Sequence, residues 1–129
     1  MKYGLFLLVL TFLCCSKDDT KSLTSTDLKG KWIETRTRLD TLSFESLDDL
    51  DIMNLNRGKE LRNGKLLPKP KSGPYTYKLL EEKISLNWVL SSNSSFNDYY
   101  FKVIDNRLHI GNFYGSASGG TLTFERLDQ

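Results

Sequence analysis

From residue 28 onward the chain keeps to one pattern: apolar and polar residues alternate, and many of the apolar positions are β-branched or aromatic. Successive side chains of a strand point to opposite faces, so this period of two builds half-buried strands. No stretch of helical period long enough to compete follows the first residues. The clearest strand is Ile84-Ser85-Leu86-Asn87-Trp88-Val89-Leu90, with Ile84, Leu86, Trp88 and Leu90 on one face. Tyr75, Tyr77 and Leu79 alternate just before it, and Glu81-Glu82 supplies a two-residue hairpin connection, although neither residue is ideal at positive φ.

The same reading gives further hairpins. Tyr99 to Ile104 returns through Asp105-Asn106 to Arg107 to Ile110, and Leu122 to Arg126 closes the chain. In the first half, Lys31 to Leu39 and Thr41 to Leu47 form a pair, Asp51 to Asn56 a third strand, and Asn63-Gly64 another turn. About eight strands in a meander must bury one face and dispose of their edges. Closure into a small up-and-down antiparallel β-barrel does both. The expected fold is all-β.

Composition narrows function more than it defines it. A chain of 129 residues with 39% hydrophobic content fills one core, not two. Its formal charge of +2 is too even for a partner selected by bulk charge, so nucleic acid is not expected. One histidine and two adjacent cysteines cannot form a zinc cluster, a disulfide framework or most His-centred triads. Neither metal, cofactor nor catalysis is expected, and the chain reads as a monomer.

Residues 1–15 carry one lysine, then an apolar run that ends at Cys14-Cys15. The run is about ten residues, half of what a membrane-crossing helix needs, and reads as a signal peptide. A leader that stops at cysteine and continues Ser16-Lys17-Asp18-Asp19 resembles those of bacterial lipoproteins, which are cleaved before a cysteine acylated on sulfur. Cys14 is smaller than Leu13 and suits the position before the cut, so the resemblance implies Cys15 as the lipidated residue. Its palmitate-type chains would hold the protein at a membrane. The acidic pair resembles the export signal of Bacteroidetes-type lipoproteins, which implies the outer face of the outer membrane, with the periplasmic face as the alternative. The expected organisation is a cleaved signal peptide over residues 1–14, a lipidated flexible tether over 15–27 and a β-barrel domain over 28–129.

Leu28-Lys29-Gly30-Lys31-Trp32 contains G-x-W at the start of the meander, and Phe124-Glu125-Arg126-Leu127 ends it. This layout resembles the lipocalin-like lipoproteins of the calycin group. The resemblance implies that Trp32 plugs the closed end of the barrel and that Arg126 lies across it.

Two candidate binding regions follow. If the alternation holds, Tyr75, Tyr77, Trp88, Tyr99 and Phe101 point inward and line the barrel, suiting a small hydrophobic or aromatic ligand. An eight-stranded barrel is also narrow enough for these side chains simply to fill it. The second region is electrostatic. Between residues 57 and 71, Arg57, Lys59, Arg62, Lys65, Lys69 and Lys71 face a single acid, whereas residues 40–51 carry five acids and no base. A basic loop of this kind suits anionic lipid headgroups or acidic glycans. The sequence therefore leaves a lumenal ligand and a loop-borne macromolecular partner (a glycan, an envelope protein or a protease) as the two readings.

Overall fold

A computed structural model describes residues 22–115 and 119–127. The leader, Cys14, Cys15 and the Asp18-Asp19 pair lie outside the described residues.

The fold is a closed antiparallel barrel of eight strands, in the order β1-β10-β9-β8-β7-β6-β3-β2, with β4 and β5 forming a separate two-stranded sheet. The barrel strands are β1 (Gly30–Glu34), β2 (Thr41–Leu47), β3 (Leu50–Asn56), β6 (Gly73–Leu80), β7 (Lys83–Trp88), β8 (Asn97–Ile104), β9 (Arg107–Gly111) and β10 (Thr121–Arg126). The hairpin β4 (Lys59–Arg62) and β5 (Lys65–Pro68) is inserted between β3 and β6. Around the wall each strand neighbours the next in sequence, so the up-and-down meander expected from the alternation is the observed topology.

The two ends of the barrel differ because their connections differ. At one end the strands turn through Asp48-Asp49, Glu81-Glu82 and Asp105-Asn106. Both residues of the first and third of these pairs have positive φ, the geometry whose twist matches paired strands and which short polar side chains tolerate. Between β6 and β7 only Glu82 takes positive φ. At the other end lie the long connections 35–40, 57–72, 89–96 and 112–120. These are termed the turn end and the loop end.

The chain enters at the turn end. Leu23 packs against the core, and one helical turn, α1 (Ser25–Leu28), precedes β1. The Asp27 carboxylate accepts hydrogen bonds from the N–H and the hydroxyl of Thr24, fixing the start of that turn. Packed structure thus extends slightly upstream of the boundary expected at Leu28.

The interior is filled. Trp32, Leu42, Met53, Leu55, Ile84, Leu108, Ile110 and Phe124 are fully buried in one cluster, joined by Leu28 from α1. Phe44 and Tyr77 meet edge to face at 5.5 Å in the same core. At the loop end Phe113 closes the stack, its ring 5.2 Å from that of Tyr75.

Three expectations are corrected. β1 ends at Glu34 and does not run to Leu39, because the Glu34 carboxylate accepts hydrogen bonds from the backbone N–H groups of Arg36 and Thr37 and from the Thr37 hydroxyl, turning the chain there. β7 stops at Trp88, so Leu90 leaves the inward face and is 64% exposed. The basic segment is not an open loop: Asn63 and Gly64 form a tight turn with φ of 50° and 75°, and residues 59–68 pair as β4 and β5. That hairpin has no barrel wall beneath it, which leaves Leu61 and Leu66, directly opposite each other, 71% and 63% exposed.

Candidate functional site

The five aromatics expected to line the barrel divide along its axis. Tyr77 is core. Phe101 sits toward the turn end, where it joins Leu23, Leu79 and Val103 around a cleft of about 660 Å³ rimmed by Glu81, Glu82 and Lys102. Tyr75, Trp88 and Tyr99 gather at the loop end with Phe113 around a smaller pocket of about 190 Å³. Alternation along a strand tells which residues point inward but not how deep along the barrel they sit, so one inward face supplies both core and pocket.

The loop-end pocket is built on β6 and β7. Cross-strand register places Tyr75 opposite Trp88, and their rings stack at 6.4 Å with 23° between planes. The Trp88 indole N–H donates to the Ser72 carbonyl at 3.2 Å, and the Tyr75 hydroxyl donates to the Lys71 carbonyl at 2.6 Å. Both bonds tie the base of the basic hairpin to the pocket floor. Burial pushes the Tyr75 hydroxyl well above the usual phenol range, with the neighbouring Tyr99 adding to the shift and Arg57 opposing it, so the phenol stays protonated. The opposite rim is polar, because Ser91, Asn93 and Ser95 of the 89–96 connection and Asn97 at the start of β8 turn toward the same space.

The six basic residues do not act as one patch. Arg57 folds back over the loop end: its guanidinium lies 4.7 Å from the centre of the Tyr114 ring and donates to the Pro70 carbonyl at 2.8 Å. Asp40 stands 3.8 Å from the Arg57 Nε and accepts a 2.9 Å hydrogen bond from the Tyr114 hydroxyl. Arg62 pairs with Glu60 at 3.2 Å and donates to the Pro68 carbonyl at 2.7 Å. Both arginines are thus engaged within the hairpin and its base. Among the described residues no ion pair involves Lys59, Lys65, Lys69 or Lys71. Lys71 stands apart from the other three because its Nζ lies 5.2 Å over the Trp88 ring, at the pocket.

At the turn end Trp32 and Arg126 meet. Their Cα atoms are partners across the seam of β1 and β10, and the Arg126 guanidinium lies 4.2 Å from the centre of the Trp32 ring. Arg126 also donates to the carbonyls of Asp27 and Lys29, and the Trp32 indole N–H donates to the Leu28 carbonyl at 2.9 Å. These bonds occupy carbonyls that the end of α1 would otherwise leave unpaired.

Sequence reasoning missed Phe113, Tyr114 and the polar rim. The adjacent aromatics in Phe113-Tyr114 were the available signal for the first two. Ser91, Asn93 and Ser95 face the pocket from a connection that carries no alternation to mark them. Comparison of the chain with protein-family models, with curated proteins and with solved structures gives no match.

Proposed function

We propose that this chain is a lipid-anchored, non-enzymatic envelope lipoprotein with a lipocalin-like barrel, held through Cys15 at the bacterial outer membrane and exposed on the cell surface. Its binding site is the loop-end pocket, so it acts as an interaction module through its loops and not as a carrier with a hollow lumen. The observation that supports this reading is polarity along the barrel axis. Ser22 and Leu23 lie beside the cleft at the turn end, whereas the stacked Tyr75 and Trp88 lie at the opposite end. A strand of seven residues rises roughly 23 Å, so an anchor on the N-terminal side leaves the loop end facing away from the membrane. The basic hairpin shares that end, which favours an acidic partner in the surroundings over the headgroups of the anchoring bilayer.

Native mass spectrometry of the protein purified from its own envelope tests this. A bound small molecule that is retained by wild type and Trp32→Phe and lost with Trp88→Ala supports the loop-end site. A ligand indifferent to Trp88→Ala argues against it.

A second reading draws on the turn-end cleft. With a volume of about 660 Å³ and walls of Leu79, Phe101 and Val103, it is large enough for a small hydrophobic ligand. In that case Phe101→Ala, and not Trp88→Ala, releases the bound molecule.

A further inference from the structure

The loop-end pocket joins three kinds of chemistry within a space of about 190 Å³: an aromatic face, a perimeter of short amides and hydroxyls, and one ammonium. A pyranose ring matches the first two. Its axial C–H face is apolar and stacks on an indole, while its hydroxyls both donate and accept, which Ser91, Asn93, Ser95 and Asn97 can answer in both senses. A cavity of roughly 150 Å³ already holds benzene, so this pocket seats one sugar ring in part and leaves the rest of it toward solvent. Lys71 adds something that a neutral sugar would not need.

Its backbone makes the lysine conspicuous. Ser72 N–H bonds to the Lys69 carbonyl at 3.2 Å, so Lys69-Pro70-Lys71-Ser72 is a turn with proline at its second position and Lys71 at its third. Lys71 has φ of 70°, and this third position with positive φ is the one that glycine or asparagine normally takes. A lysine here carries a local cost, and it sets its Nζ over Trp88. Lys69, the first residue of the same turn, also has no ion pair among the described residues.

We propose that the pocket recognises an acidic saccharide: one uronic-acid-type ring packs against Trp88 with its carboxylate on Lys71. This rests on the loop-end reading above and names its ligand class.

Calorimetric titration of the full-length protein in detergent, with trigalacturonate, its methyl ester and a short polyglutamate as probes, tests the proposal. Wild type binds trigalacturonate at least tenfold more tightly than the neutral ester. Lys71→Gly removes that preference while leaving ester binding in place, and the midpoint of thermal unfolding is unchanged or higher because the turn is relaxed. Equal binding of acid and ester, both lost with Trp88→Ala, overturns the acidic preference but keeps the loop-end site. Polyglutamate binding as tight as the saccharide and indifferent to Lys71→Gly overturns the saccharide in favour of an acidic peptide. No heat with either saccharide overturns the proposal, and a molecule retained from the envelope that survives Trp88→Ala overturns the site itself.

Discussion

Arg126 covers Trp32 across the seam that closes the barrel, so residues from the first and last strands meet at 4.2 Å. Closure depends on this seam, where the backbone bonds of Thr35 to Thr123 and of Leu127 to Lys31 extend the ladder past both ends of the strand pairing. Trp32→Ala should cost about 3 to 5 kcal/mol of folding stability as a buried aromatic truncation. Arg126→Ala should cost less, and a double-mutant cycle read by urea unfolding should show coupling of at least about 0.5 kcal/mol. Additive effects would mean that the stacking contributes nothing to closure.

Glu34 ties the end of β1 to pH. Burial alone would raise its carboxyl, but the N–H groups of Thr37 and Arg36, the Thr37 hydroxyl and the Arg36 charge together outweigh burial and hold the pKa below the usual range. The unfolded chain, with a glutamate pKa of about 4.3, therefore takes up this proton first as pH falls. The contribution of Glu34 is fully present above that value and fades as pH falls through the lowered folded-state pKa. Glu34→Gln should cost about 1 to 3 kcal/mol at neutral pH and flatten the acid limb of stability against pH. An acid limb identical in wild type and variant would contradict this.

Gly73 begins β6 near the pocket, and its backbone conformation is the main constraint that holds it, the exposed Leu90 side chain adding a smaller steric part. Its φ is +116°, and an added Cβ would come within 2.8 Å of Leu90 Cδ1. Gly73→Ala should destabilise by about 1 to 3 kcal/mol. In a Leu90→Ala background the steric part should disappear and the backbone part remain. A full rescue by Leu90→Ala would show that the backbone conformation is not the constraint.

If Cys15 carries the lipid, Cys15→Ala moves the protein from the membrane fraction to the soluble fraction while Cys14→Ala does not. Retention with the first substitution and release with the second would assign the anchor to Cys14. Replacing Asp18 and Asp19 with Ala should remove protease accessibility on whole cells and leave attachment intact. Unchanged accessibility would end the export reading.

The hairpins were legible in the sequence because turn chemistry is local: Asp105-Asn106 and Asn63-Gly64 announce positive φ by residue type alone. Trp32 with Arg126 was legible through the G-x-W layout. The end of β1 was not, since Glu34 is an unremarkable strand residue until its carboxylate captures the next turn. Of the β4–β5 hairpin only the turn was legible and not the flanking strands, because a hairpin with no core beneath it needs no alternation to mark it. The site was half legible. Tyr75, Trp88, Tyr99 and Lys71 were among the candidates, but Tyr77 and Phe101 shared the same inward pattern with them and sit elsewhere along the axis. Phe113 lies in a connection, outside the reach of any periodicity.

The central claim is that ligand engages the loop end of a filled barrel. The chain holds two tryptophans, and their indole N–H groups report separate regions: Trp32 bonded to the Leu28 carbonyl beside α1, and Trp88 bonded to the Ser72 carbonyl at the pocket. A two-dimensional ¹H–¹⁵N spectrum recorded during titration with trigalacturonate observes both at once. The account predicts that the Trp88 indole signal moves with saturation while the Trp32 signal stays fixed. Movement of Trp32 with Trp88 unchanged, or movement of neither at millimolar saccharide, would contradict it.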